Sequence, residues 1–266
     1  MKILRLVHNL PKTGGTIISK CLGAQKNVVL LSEIHPRGQE IRDKMNKNSF
    51  IGDPIYQAYK WNNLMTDEEY KIYKNDNKDF ESKIDFIIEK VLSSNKYLII
   101  RDWSFVDFFG KPYTEPTNRN MLLKILEKKF KILNVFILRS PIETLISCYK
   151  NLPFFKNNYD LDFFLNAYRN FFLSASKDRI FKYEDFFNKP NDVLKQMCEI
   201  LKIEYTDEYT KNMRNIMLTG NKKGIESHEI FKKSIEADIV MNKQQKDNLK
   251  KNKLYTKLMK ELNNFY

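Results

Sequence analysis

The chain has 266 residues, enough for a full core and close to the upper size for a single one. Lysine and arginine number 46 against 33 acidic residues, a formal charge of +13, and 42% of the chain is hydrophobic. No apolar run is long enough to span a bilayer, no repeat is apparent, and three cysteines with three scattered histidines give no metal-ligand spacing.

In chain order, residues 2–8 read as a buried strand and are followed by Asn9-Leu10-Pro11-Lys12-Thr13-Gly14-Gly15-Thr16. A helix is expected over 16–23, with Ile17, Ile18, Cys21 and Leu22 on one face. A strand, a glycine turn and a helix start aim successive backbone N–H groups at one spot, which attracts phosphate or sulfate. In a nucleoside-triphosphatase loop the lysine follows the glycines, whereas Lys12 precedes them. A strand follows at 28–32. Residues 37–80 then break the rhythm: polar and lysine-rich, they carry Tyr56, Tyr59, Trp61, Tyr70 and Tyr73. Two readings fit this insertion, a substrate-side cap over the carboxyl edge of a sheet or a small satellite core packed by the aromatics.

Further strands are expected at 97–101, 132–138 and 179–183. Further helices are expected at 80–93, 118–129, 141–150, 160–175, 190–202, 206–217 and 243–262, the last within a C-terminal helical segment, 225–266. Continuous hydrophobicity in the strands suits a mainly parallel sheet covered on both faces. The alternation of strand and helix predicts a three-layer α/β/α fold in one domain, 1–266, with a P-loop-like strand–loop–helix at its start. Cys21, Cys148 and Cys198 lie in helix-like apolar patterns and are expected to be reduced core thiols. The opening apolar stretch is short, charged and without a small-residue cleavage site, which predicts a cytoplasmic protein.

The strand at 132–138 runs into Arg139-Ser140-Pro141-Ile142-Glu143. Ser140 and Glu143 have capping-box spacing, and Pro141 suits a first helical turn. Arg139 therefore stands at a strand end, with Ser147 two turns along the same helix face. An arginine fork and a hydroxyl so placed can hold a phosphate; Arg139 can equally be a structural ion-pair residue and Ser147 a small packing residue.

Pro11-Lys12-Thr13-Gly14-Gly15-Thr16 resembles the 5′-phosphosulfate loop of sulfotransferases that use 3′-phosphoadenosine 5′-phosphosulfate (PAPS). Arg139, Pro141 and Ser147 resemble the 3′-phosphate motif of the same family. Phe181-Lys182-Tyr183-Glu184-Asp185 resembles its Tyr-Glu-Asp segment, which implies Tyr183 as an adenine contact. Lys222-Lys223-Gly224 is similar to its Arg-Lys-Gly element, with the departure that lysine lacks the bidentate fork. The resemblance implies a PAPS site made by Lys12, Thr13, Gly14, Gly15, Thr16, Ile17, Arg139, Ser147, Tyr183, Lys222, Lys223 and Gly224.

On the acceptor side, strand alternation through Ser32-Glu33-Ile34-His35 places Glu33 and His35 on one side. Glu33-Ile34-His35 resembles the Glu-x-His segment of heparan sulfate sulfotransferases, whose glutamate is the base. Arg101-Asp102-Trp103-Ser104 stands where cytosolic small-molecule enzymes have Lys-Thr-His, and it lacks that histidine. The resemblance thus implies Glu33 as base, His35 in support and Arg101 on the sulfonate. The implied reaction moves a sulfuryl group from PAPS to a hydroxyl, in preference to an amine, of a small molecule or glycan, with no metal required. A P-loop nucleoside or sugar kinase is the alternative enzyme, disfavoured by the position of Lys12 and the lack of an evident strand-end magnesium ligand. A basic, non-catalytic nucleic-acid-binding protein is the other alternative. It rests on charge alone, without a basic tail or recognisable module, so no nucleic-acid partner is expected, and oligomeric state is left open.

Overall fold

The structure, a computed structural model, describes residues 1–45, 50–75, 79–220 and 243–264. Five strands form one sheet: β1 (Ile3–Asn9), β2 (Val28–Ile34), β3 (Tyr97–Asp102), β4 (Lys131–Leu138) and β5 (Ile180–Lys182). Their spatial order is β2-β3-β1-β4-β5, and each neighbouring pair is parallel. Successive side chains leave a strand on opposite faces. On one face Leu30, Ile99, Leu133, Val135 and Ile137 pack with the helices Gly15–Gly23 and Pro190–Leu201. On the other, Leu4, Leu6, Leu31 and Ile100 meet the helix Phe80–Ser93, while Phe136 and Leu138 meet Pro141–Asn151 and Leu161–Leu173. Burial on both faces explains why these strands are continuously apolar.

Local signals account for the clearest helices. Asp79 accepts from Ser82 N at 2.7 Å to cap Phe80–Ser93, whose buried Ile84, Ile87, Ile88 and Val91 follow helical spacing. Other helices depart from expectation. The helix expected at 118–129 shortens to Met121–Leu126, because Asn120 caps it through Leu123 N at 2.9 Å. Asp107 holds the chain just before that cap, accepting from Met121 N at 2.9 Å and from Thr117 Oγ1 at 2.8 Å. Asn252 likewise splits 243–262 into Lys243–Lys251 and Lys253–Asn263 by capping the second piece. Residues 206–217 form only the short turns Tyr209–Asn212 and Met213–Asn215, and Tyr183 ends β5 by opening a helix, Tyr183–Asn188.

The insertion 37–80 contains the helices Gly38–Lys44 and Asp67–Asn75, with Pro54–Tyr56 running into a π-helical turn, Gln57–Trp61. Tyr59 stacks on Tyr70 with ring centroids 4.2 Å apart, and Tyr73 on Phe86 at 3.8 Å. These tyrosines pack against the β2–β3 side of the sheet's own core.

Between β1 and its helix the chain reverses through two left-handed residues, Lys12 at φ 65° and Gly14 at φ 89°. Glycine takes such a φ without steric cost, and no Cβ fits at Gly14 because it would overlap the Tyr183 ring. Gly14→Ala is expected to destabilise by about 1–3 kcal/mol in a urea titration. In a Tyr183→Ala background the overlap is gone, and the same change is expected to cost only the backbone term, about 1–2 kcal/mol. Cys21, Cys148 and Cys198 are buried free thiols, each pushed up to about 12 by that burial. A thiol reagent near about pH 8 is expected to leave the native protein unlabelled and to modify all of them on unfolding.

Candidate active site

The loop after β1 is held from inside. Thr13 is fully buried and donates through Oγ1 to Leu10 O at 2.8 Å. Ile18 N donates to Gly14 O at 3.2 Å, so the helix begins at the loop glycines. Its first N–H groups, at Gly15, Thr16 and Ile17, have no acceptor within the helix and face the carboxyl edge of the sheet with the positive end of the dipole. Such a start is an anion site.

The end of β4 reaches the same loop. Arg139 donates from Nη1 to Lys12 O at 3.3 Å, and its guanidinium carbon stands 5.1 Å from the Tyr183 ring centroid. Burial raises the Tyr183 pKa, while Arg139 opposes the shift. Lys12, Gly14, Arg139 and Tyr183, from three separate stretches of sequence, are therefore brought together. Ser147 lies two turns along the helix Pro141–Asn151, where Asn151 donates to its carbonyl at 2.9 Å; no hydrogen bond joins it to Arg139 among the described residues. Lys222, Lys223 and Gly224 lie outside the described residues.

The capping box expected at Ser140 and Glu143 does not form. Glu143 turns back to Arg139, with Oε2 2.9 Å from Nη2, and the Ser140 side chain makes no cap bond. Glu184 takes the vacated role from another element, accepting from Ser140 N at 2.8 Å. The nearer cation captured the glutamate, and a charge-assisted bond from the helix after β5 replaced the local one.

The expected alignment of Glu33 with His35 also fails. Glu33 adopts φ 54°, and the pairing of β2 with β3 shifts register between Ser32 and Ile34. This bulge breaks the alternation on which a shared face depends. Glu33 Oε1 pairs with Arg101 Nη2 at 3.0 Å. His35 is buried elsewhere: its Nδ1 accepts from Arg37 N at 3.0 Å and its Nε2 sits 3.3 Å from Asp107 Oδ1. Arg101 is 1% exposed and reaches the loop helix, donating from Nη1 to Thr16 Oγ1 at 3.0 Å. Its Nη2 donates to Thr219 Oγ1 at 2.8 Å. Burial pulls the Arg101 pKa down and the Glu33 charge opposes that.

Beside the loop lies a cavity of about 200 Å³. Ile51, Trp103, Phe105, Leu152 and Phe154 supply apolar wall; Asn9, Glu33 and Tyr113 supply polar groups, and the buried Asp102 and Ser104 stand at its back. No lysine, arginine or histidine lines it among the described residues. Ile51 and Met45 come from the insertion, which thus contributes to the cavity as well as packing on the sheet's core. Behind it is a buried network that sequence reasoning did not find. Asp102 Oδ2 accepts from Ser104 Oγ at 2.7 Å and from Asn120 Nδ2 at 3.1 Å, and lies 3.0 Å from His8 Nδ1. The available signal was a histidine inside an apolar strand. Its partner became evident only once β1 and β3 were neighbours.

No group of His, Cys, Asp and Glu positioned for a metal occurs among the described residues, and no helix there is long and apolar enough to cross a membrane. The sequence matches no family model and no curated protein. Solved structures do match. The sulfotransferase domain from the curacin biosynthetic pathway aligns over 99% of this chain and 98% of its own, with a TM-score of 0.63 at 13% identity. The sulfotransferase domain from the Synechococcus PCC 7002 olefin synthase aligns over 78% of this chain and 75% of its own, with a TM-score of 0.56 at 17% identity. The parallel sheet, its strand–loop–helix start and its flanking helices are a sulfotransferase fold.

Proposed function

We propose that this chain, acting as a single domain, transfers a sulfuryl group from PAPS to a hydroxyl compound. The observation that carries the reading is Arg139, at the end of β4, donating to the Lys12 carbonyl in the helix-start loop beside a cavity, with the Lys12 and Arg139 charges both acting on the Cys148 thiol. The donor set fits a nucleotide that is anionic at two places. The helix N-terminus and Lys12 receive the 5′-phosphosulfate, Arg139 with Ser147 receives the 3′-phosphate, and Tyr183 borders the nucleotide base. Arg101, linked to Thr16, fixes the side of the loop that faces the acceptor. As transfer proceeds, negative charge builds on the oxygen that bridges sulfur and phosphorus, and a preorganised ammonium there stabilises the transition state more than the ground state. The acceptor must lose its proton to a nearby base, and Glu33, a partly exposed carboxylate in the cavity lining, is the residue assigned to it.

Lys12→Ala is expected to lower turnover about 100- to 1,000-fold, the range for a lost oxyanion donor, with a much smaller loss of affinity for the desulfated nucleotide. Steady-state kinetics beside calorimetry decides this, and equal losses in both would reduce Lys12 to a phosphate clamp. Arg139→Ala is expected to weaken adenosine 3′,5′-bisphosphate strongly while leaving adenosine 5′-phosphate nearly unchanged in the same calorimeter. Parallel weakening of both nucleotides would make Arg139 structural.

A further inference from the structure

We infer that the amino edge of the sheet, opposite the anion loop, holds a second ligand site, for a small amphiphile with one anionic head and an apolar body. The inference stands apart from the sulfotransferase reading, because it uses none of the residues assigned to sulfuryl transfer. The ladder between β1 and β3 begins only at Arg5 and Ile99, which leaves Ile3 and Tyr97 unbridged at this edge. A cavity of about 410 Å³ lies there, larger than the one beside the loop and within the size range of small-molecule sites. Val91 and Leu92, at the end of the helix Phe80–Ser93, form one side of it.

Arg5 carries the argument. It is 6% exposed, and no carboxylate pairs with it among the described residues. Its Nε donates to Leu201 O at 2.6 Å and its Nη2 to Lys202 O at 3.3 Å, where the helix Pro190–Leu201 ends. Its guanidinium carbon stands 4.7 Å from the Tyr97 ring centroid. These contacts hold the group and offset part of its charge, since a helix C-terminus counts for about half a negative charge. The rest is uncompensated, and a charge withdrawn from water calls for a counter-charge. Nη1 makes no hydrogen bond among the described residues, yet it is not one of the buried atoms left without a partner, so it is still reached from outside. The open space that Arg5 lines is this cavity. A guanidinium already fixed through two donors offers a third to an anion at little cost in ordering.

The lining sets the ligand's chemistry. Its charged members are Lys2, Arg5 and Lys96, and no Asp or Glu lines it among the described residues. Lys2 is committed to Asp85 at 3.0 Å and to Glu89, so Arg5 and the exposed Lys96 are the cations left for a ligand. One anionic group is matched by that pair, while Asp85 and Glu89 behind Lys2 repel further negative charge. Ile3, Ile88, Val91, Leu92 and Leu98 supply apolar wall. Leu92 is 48% exposed, a large apolar side chain that the body of an amphiphile covers and a sugar does not. A sulfate ester and a fatty carboxylate share this chemistry.

The test titrates octyl sulfate, octanoate and octanol into the full chain by calorimetry. Both anions are expected to bind at one site per chain, and octanol about tenfold or more weaker. Tighter binding of octyl sulfate than of octanoate assigns the site to sulfate esters, and the reverse order assigns it to carboxylates. Lys96→Glu is expected to weaken octyl sulfate about tenfold and to leave octanol unchanged. Lys195→Glu, an exposed lysine outside the lining, is expected to change octyl sulfate by no more than about twofold, which separates the site from the general positive field. Leu92→Asn is expected to weaken all three ligands several-fold. Arg5→Gln is expected to abolish the preference for anions; if that variant does not fold, Lys96→Glu and Leu92→Asn decide. Arg139→Ala, at the other edge of the sheet, is expected to leave octyl sulfate affinity unchanged. A parent chain that binds neither anion, octanol binding as tightly as octyl sulfate, equal effects of Lys96→Glu and Lys195→Glu, or loss of binding in Arg139→Ala overturns the proposal.

Discussion

A guanidinium at 1% exposure sets the terms for everything around it. A charge withdrawn from water must be paired and hydrogen-bonded, and losing one partner of such a pair costs about 3–5 kcal/mol. Arg101 meets that demand with groups from three directions: Thr16 in the loop helix, Glu33 in the β2 bulge and Thr219 far along the chain. Thr219 is tied in turn to Ser32, whose Oγ lies 2.8 Å from its Oγ1. The anion loop, the end of β2 and the stretch that closes over them therefore share one electrostatic anchor. Glu33 is drawn into the left-handed region because a regular strand would not deliver its carboxylate to that anchor.

The sheet order gives the loop after β1 two different flanks. β1 lies between β3 and β4, so the loop that follows it has one neighbour on each side. The β4 side supplies Arg139 and, through the adjoining β5, Tyr183. The β3 side supplies Arg101, Asp102 and the cavity. Ligands of parallel α/β sheets bind at such carboxyl edges because the connections diverge there. Glu184 accepting from Ser140 N ties the β4 and β5 ends to each other.

Most of the architecture was legible in the chain. Runs such as Tyr97-Leu98-Ile99-Ile100 and Ile132–Leu138 announce strands because two covered faces demand apolar residues at every position. The loop at Lys12–Thr16 was legible because glycine order and lysine position are local. What escaped were contacts between distant segments. Nothing near Glu33 signals a bulge, which is stabilised by Gly52 N donating to Glu33 O at 2.8 Å and by Gln57 Oε1 accepting from Ser32 N at 2.6 Å. The Ser140–Glu143 spacing was a sound local signal overridden by Arg139 on one side and Glu184 on the other. His8 and Asp102 were invisible as partners because only the crossover that sets β3 beside β1 makes them neighbours.

The second loop glycine has a reach beyond its own turn. A Cβ at Gly15 would overlap the side chain of Asn9, and Asn9 is part of the cavity wall. Asn9 is thus a partition with the glycine loop on one side and the cavity on the other. The hydrogen atom at Gly15 sets where that partition stands, so a bulkier residue there would push Asn9 toward the cavity. The loop glycine is in this sense a spacer for a chamber it does not line, and the volume of the cavity is decided partly from the far side of its wall.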